Sequence, residues 1–231
     1  MSAAMGEFVN LTAADGFVFP AYVARPAGPP QAGLVVLQEI FGVNRHIRAV
    51  ADGYAADGYL VVAPATFHRV KEDVELGYTP EDVSAGAALK AAVEGLAAPG
   101  VLPDIETAIA FAAQAGKVGV LGYCWGGLLA WRAAALLSGI SAAVPYYGGG
   151  MTQPAEAART PQCPVLAHFG ERDHAIPVEG VRAFAVAHPA VEVVIYPAQH
   201  GFNCDHRGAF DTSAAALARA RTLEFLAQHL G

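Results

Sequence analysis

The stretch Val118-Gly119-Val120-Leu121-Gly122-Tyr123-Cys124-Trp125-Gly126-Gly127 decides how the chain reads. A short apolar run, as expected of a strand covered on both faces, passes through one tight turn into an apolar, helix-like segment. Glycines stand two residues before and two residues after Cys124. A strand-to-helix turn this sharp leaves no room for side chains at those two positions, and it lifts the residue between them over the carboxyl edge of the sheet. Cys124 then sits at a helix N-terminus, whose free N–H groups favour negative charge. Taken alone, the pattern fits close packing around an inert cysteine as readily as a reactive thiol.

Working outward, the chain alternates strand and helix. Runs at 8–11 and 17–24 flank an Asp15-Gly16 turn and read as a hairpin. The apolar run 33–37 is a buried strand, and Asn44 caps a helix whose Ile47, Val50, Ala51 and Tyr54 share one face until Gly58 ends it. Strands are expected at 59–63, 117–121, 140–144, 165–169 and 191–196, with helices at 104–115, 125–138, 178–187 and 211–229. Residues 64–100 are more polar and irregular, with one helix near 81–96, and read as a small cap excursion over a pocket. This alternation predicts an α/β fold: one domain over 1–231, with a mostly parallel sheet, right-handed crossovers and helices on both faces. Functional groups should gather beyond the carboxyl ends of the strands, at 38–42, 123–127, 171–177 and 199–207.

Composition narrows the function classes. The chain has 231 residues, of which 54% are hydrophobic and 15% charged, which suits a large packed core and argues against disorder. A net charge of −7 with scattered Lys and Arg disfavours nucleic acid as a partner. Three cysteines without a disulfide framework point to a reducing compartment, and the cytoplasm is the expected location. The first eleven residues show no basic region followed by an apolar run, so no leader is expected there. Glycines, Arg132 and Pro145 interrupt the most apolar stretch, 118–147, so no membrane span is expected. No cofactor and no metal are expected. The expected partner is a small molecule, and the expected assembly is a monomer or small homo-oligomer.

Two later strand ends supply partners for the thiol. The run at 165–169 leads into Gly170-Glu171-Arg172-Asp173, and the run at 191–196 into Pro197-Ala198-Gln199-His200. Each could be an ordinary loop residue, but together they follow Cys124 in the order nucleophile, acid, base, which is the chain order of α/β-hydrolases. The expected roles follow from chemistry. His200 takes the thiol proton and later activates water, while Asp173 fixes the imidazole tautomer. Two backbone N–H groups should stabilise the oxyanion, one from Trp125 and one from Ile40 on the loop after the 33–37 strand. A ligand-binding protein with vestigial catalysis and a thiol redox enzyme are the competing classes. No C-x-x-C is present to support the latter.

The segments Gln38-Glu39-Ile40-Phe41-Gly42-Val43-Asn44, Gly122-Tyr123-Cys124-Trp125-Gly126-Gly127, Asp173-His174 and His200-Gly201-Phe202 together resemble the dienelactone hydrolase (carboxymethylenebutenolidase) family. The resemblance runs over essentially the whole chain. It implies hydrolysis of an ester or lactone, in the type case a dienelactone opened to maleylacetate, through a thioester on Cys124; an esterase or thioesterase acting on other substrates is the alternative. It also implies that Glu39 holds the resting thiol away from His200 until substrate binds. Family members clamp a substrate carboxylate with one arginine from the cap region and one just after the histidine. Here 78–89 contains no arginine, and Arg207 lies further along than in those members. Arg207, Phe41, Phe202 and Tyr146 are the expected substrate-binding residues, with Trp125 and Phe67 as further pocket aromatics. Arg69 and Lys71 read as solvated loop charges, Cys163 as a buried small hydrophobe, and Cys204 with His206 as a poor pair for zinc.

Overall fold

The computed structural model describes residues 6–231, so part of the segment read for a leader, residues 1–5, lies outside it. Eight strands form one sheet in the order β1-β2-β4-β3-β5-β6-β7-β8. β1 (Glu7–Thr12) and β2 (Val18–Ala24) make the expected hairpin, and β2 joins β4 (Tyr59–Pro64) antiparallel. From β4 onward every pairing is parallel, through β3 (Ala32–Leu37), β5 (Val118–Tyr123), β6 (Ala142–Tyr146), β7 (Val165–Gly170) and β8 (Val191–Tyr196). All residues of β3, β4, β5, β6 and β7 are buried, which is why these runs are apolar without alternation.

The helices are α1 (Arg45–Ala56), α2 (Pro80–Glu94), α3 (Leu102–Ala112), α4 (Trp125–Leu136), α5 (Pro154–Ala157), α6 (Val178–Ala187) and α7 (Thr212–Leu230). α1 begins where Asn44 Oδ1 accepts from the Ile47 N–H, and it buries Ile47, Ala51 and Tyr54. α2 carries a capping box between Thr79 and Asp82. α3 starts two residues before the sequence reading because Pro103 sits in its first turn, where a missing N–H costs nothing. The short α5 was not expected; four residues are too few to show a helical period. This is the α/β-hydrolase architecture, a mostly parallel sheet flanked by helices, with the carboxyl ends of β3, β5, β7 and β8 at one edge. Among the described residues no helix is long and apolar enough to cross a membrane.

Candidate active site

Cys124 adopts φ 55° and ψ −116°, a left-handed conformation that side-chain-bearing residues avoid, between the end of β5 and the start of α4. The flanking glycines make this possible. A Cβ on Gly122 would run into the Gly126 carbonyl, and one on Gly126 into the carbonyls of Leu37 and Gln38. The turn is pinned from β6 and the loop after it: the Cys124 N–H donates to the Tyr146 carbonyl (3.0 Å) and the Gly149 N–H to the Cys124 carbonyl (3.3 Å). The energy of this strained residue is thus met by a ring of backbone hydrogen bonds, and the half-buried sulfur is presented past the sheet edge.

The loops after β7 and β8 bring the acid and the base together. The Glu171 N–H donates to the Tyr196 carbonyl (2.7 Å) and the Arg172 N–H to the Ala198 carbonyl (2.9 Å), so the two loops run side by side. Asp173 is buried and fully partnered. Its Oδ1 accepts from the Ala175 and Ile176 N–H groups at 2.8 and 3.1 Å, and its Oδ2 lies 2.7 Å from His200 Nδ1. On the other side of the ring, His200 Nε2 is 3.1 Å from Cys124 Sγ. Burial works against a charged His200, but the Cys124 sulfur and the Asp173 carboxylate outweigh it and raise the imidazole to about 10. The ring thus spans the gap between the Asp173 carboxylate and the Cys124 sulfur.

The Trp125 and Ile40 N–H groups have no acceptor among the described residues, the state expected of donors kept for an oxyanion. The Ile40 loop is held by its neighbours. The Leu76 N–H donates to the Phe41 carbonyl (2.9 Å), Gly42 bridges to Glu75, and Asn44 Nδ2 donates to the Leu76 carbonyl (3.1 Å) and the Tyr78 hydroxyl (3.0 Å). The Trp125 side chain turns away into the core, stacked on Phe67 at 5.0 Å with its Nε1–H donated to Glu94 (2.7 Å).

The 200–207 loop turns back on itself through Gly201 (φ 77°), with the Cys204 N–H donating to the Gly201 carbonyl and the Arg207 N–H to the Cys204 carbonyl. This fold-back brings Arg207 beside the site despite its distance along the chain. Its Nη1 lies 3.4 Å from Glu39 Oε1, and its guanidinium stands over Phe41 at 5.7 Å. Glu39 is buried, and its second oxygen has no partner among the described residues. The thiol rests on His200, while Glu39 faces Arg207.

Two expected positions differ. Tyr146 is buried in the core with its hydroxyl 2.6 Å from Thr222 Oγ1 on α7. The next residue, Tyr147, lies against His200 instead, with ring centroids 5.1 Å apart, a positive φ of 36° and a buried hydroxyl without a described partner. Successive side chains diverge at a strand end, so one register step exchanges core for site. The sequence points to the end of β6 through Tyr146, and the structure puts Tyr147 at the site in its place. Arg69 is not a solvated charge: it binds Asp104 and Asp15 and is held largely out of water. Phe202 packs on Tyr147 at 5.2 Å and supports the site from within.

The model of the dienelactone hydrolase family matches residues 19–230. The chain belongs to the dienelactone hydrolase family. It is a dienelactone hydrolase-like hydrolase. The carboxymethylenebutenolidases of Pseudomonas putida and Pseudomonas knackmussii are each 33% identical over 229 residues, covering 96% of both chains. A Klebsiella pneumoniae structure assigned as a dienelactone hydrolase matches with 30% identity and a TM-score of 0.80, over 96% of this chain and 99% of that one. An esterase of Thermogutta terrifontis shares the fold at 19% identity and a TM-score of 0.68, over 99% of this chain and 96% of that one. Family members thus lie close along the whole chain, while more distant esterases retain the architecture.

Proposed function

We propose that the chain hydrolyses a small carboxylate-bearing ester or lactone through a Cys124–His200–Asp173 triad and a thioester acyl-enzyme. The observation that carries this is the unbroken line from Asp173 Oδ2 through the His200 ring to Cys124 Sγ, at 2.7 and 3.1 Å. The Cys124 thiolate attacks the substrate carbonyl carbon, and the carbonyl electron pair moves onto oxygen. The N–H groups of Trp125 and Ile40 receive that oxyanion. Collapse expels the alkoxide, which takes a proton from His200; in a lactone the alcohol stays attached and the ring opens. Water then gives a proton to His200 and attacks the thioester, and the thiolate leaves. The net change is the addition of one water.

Arg207 supplies the cation for a substrate carboxylate. An anion arriving there competes with Glu39 for the guanidinium, so substrate binding and the position of Glu39 are linked. The present arrangement, with the thiol on His200 and Glu39 on Arg207, corresponds to the thiol-engaged end of the switch that the family resemblance implies. Residues 64–100, which reach the Ile40 loop through Leu76 and Tyr78, serve as its cover. The cytoplasm suits a catalytic thiol that must stay reduced.

The test compares rates on matched neutral and carboxylate-bearing lactones, with Cys124→Ala as the blank. The carboxylate-bearing lactone is expected to react faster, and Arg207→Gln to erase that preference. Full activity in Cys124→Ala contradicts the nucleophile, while a preference for the neutral lactone contradicts the role of Arg207.

A further inference from the structure

We propose that Glu39, His46 and Cys204 form a binding site for a divalent transition-metal ion of the Zn2+ class. They come from three separate places in the chain, the loop after β3, the first turn of α1 and the 200–207 loop, yet their ligating atoms all lie within 4.8 Å of one another. All three are buried, at 1%, 4% and 0% exposure. Two of the donor atoms, Glu39 Oε2 and His46 Nε2, have no hydrogen-bond partner among the described residues. A buried carboxylate oxygen and a buried ring nitrogen left bare are costly, and one ion would satisfy both.

Several further features fit a metal. The other ring nitrogen of His46, Nδ1, lies 2.9 Å from the Asp205 carboxylate. That contact holds the proton on Nδ1 and leaves the Nε2 lone pair directed at the cluster, the outer-shell arrangement that metal-binding histidines use. A thiolate, an imidazole and a carboxylate together suit Zn2+ or Co2+, whereas Ca2+ and Mg2+ need oxygen ligands. The carboxylate and thiolate bring two negative charges to a dication in a site with little water, with the Arg207 guanidinium on the far oxygen of the same carboxylate. Binding deprotonates Cys204: the S–H bond breaks, the S–metal bond forms, and the proton leaves to solvent.

Tetrahedral coordination with bonds of about 2.0–2.3 Å places donors about 3.3–3.8 Å apart, so the set needs to contract by about 1.5 Å at most, with water as a fourth ligand. Arg207 contacts only Oε1 of Glu39 and leaves Oε2 to the ion. Access also exists. His46 and Asp205 line a surface cavity between α1 and α7, and His46, Asp205 and His206 form a second donor set that shares the His46 ring. Cys204 and His206 alone made a poor pair in the sequence; the fold adds Glu39 and His46.

Co2+ titrated into the full chain carrying Cys124→Ala tests this without the triad thiol, and so independently of the proposed reaction. A thiolate-to-Co2+ charge-transfer absorption should saturate at one ion per chain and disappear on addition of Zn2+. Adding Cys204→Ala should abolish the band, and adding Asp205→Asn, at an exposed position, should weaken Co2+ binding about tenfold. Absence of the band in Cys124→Ala overturns the proposal, as does a band that survives Cys204→Ala. Unchanged affinity in Asp205→Asn counts against His46 as a ligand.

Discussion

His168, on β7, lies between the hydroxyls of Tyr196 and Thr222, 3.0 Å from each, while His200, beyond β8, lies between the Asp173 carboxylate and the Cys124 sulfur. Both rings are largely removed from water, and burial disfavours the charged form of each. With only neutral partners, and with Arg221 nearby, His168 drops to about 3. Beside the Cys124 sulfur and the Asp173 carboxylate, His200 rises to about 10. The partners, more than burial, separate a neutral cross-link of β7, β8 and α7 from a ring that holds its proton. Position in the fold agrees: His168 lies within a strand, whereas His200 lies on a loop beyond the sheet edge, where a substrate can reach it.

The largest expected effect comes from making the surroundings of His200 more like those of His168. Asp173→Asn replaces the anionic partner with a neutral one of the same size. It should lower kcat by about 10⁴-fold and move the His200 titration downward in NMR of the imidazole protons. An unchanged kcat would break the contrast between the two histidines. Next is Glu39→Gln, which keeps the shape beside Arg207 and removes the charge. Turnover should fall, by about 10²-fold at most, with an unaltered circular dichroism spectrum. A fully active variant would take Glu39 out of the reaction. The smallest effect belongs to His168 and concerns stability. A histidine at about 3 in the fold against its ordinary 6.5 supports the native state fully above about pH 6.5, and this support is lost as pH falls toward 3, because the unfolded chain takes up the proton first. Urea unfolding across that range should give a shallower pH slope for His168→Gln than for the unsubstituted chain. Equal slopes would mean that His168 does not stay neutral.

Most of the sheet was legible because its central strands are apolar without interruption and end in glycine, proline or polar turns; β8, despite Glu192, and α6 also match their expected bounds. The order of Cys124, Asp173 and His200 was legible for a related reason, since each lies within four residues of a strand end and the topology brings those strand ends to one edge. Details that depend on direction were not. Tyr146 and Tyr147 are neighbours of one type, and only the backbone at the end of β6 decides which faces His200. Arg207 looked distant because its approach depends on the fold-back of the 200–207 loop, a tertiary feature with no periodic signal. Arg69 looked solvated because its partners, Asp15 and Asp104, lie far away in sequence. The grouping of Glu39, His46 and Cys204 was hidden in the same way.

The most direct measurement mixes the protein with an activated ester, quenches within one turnover and reads the intact mass. The expected result is one acyl group per chain, attached to Cys124 as a thioester, cleaved by hydroxylamine and absent from Cys124→Ala. An acyl group on another residue, or continued turnover by Cys124→Ala, would contradict a cysteine nucleophile at this turn.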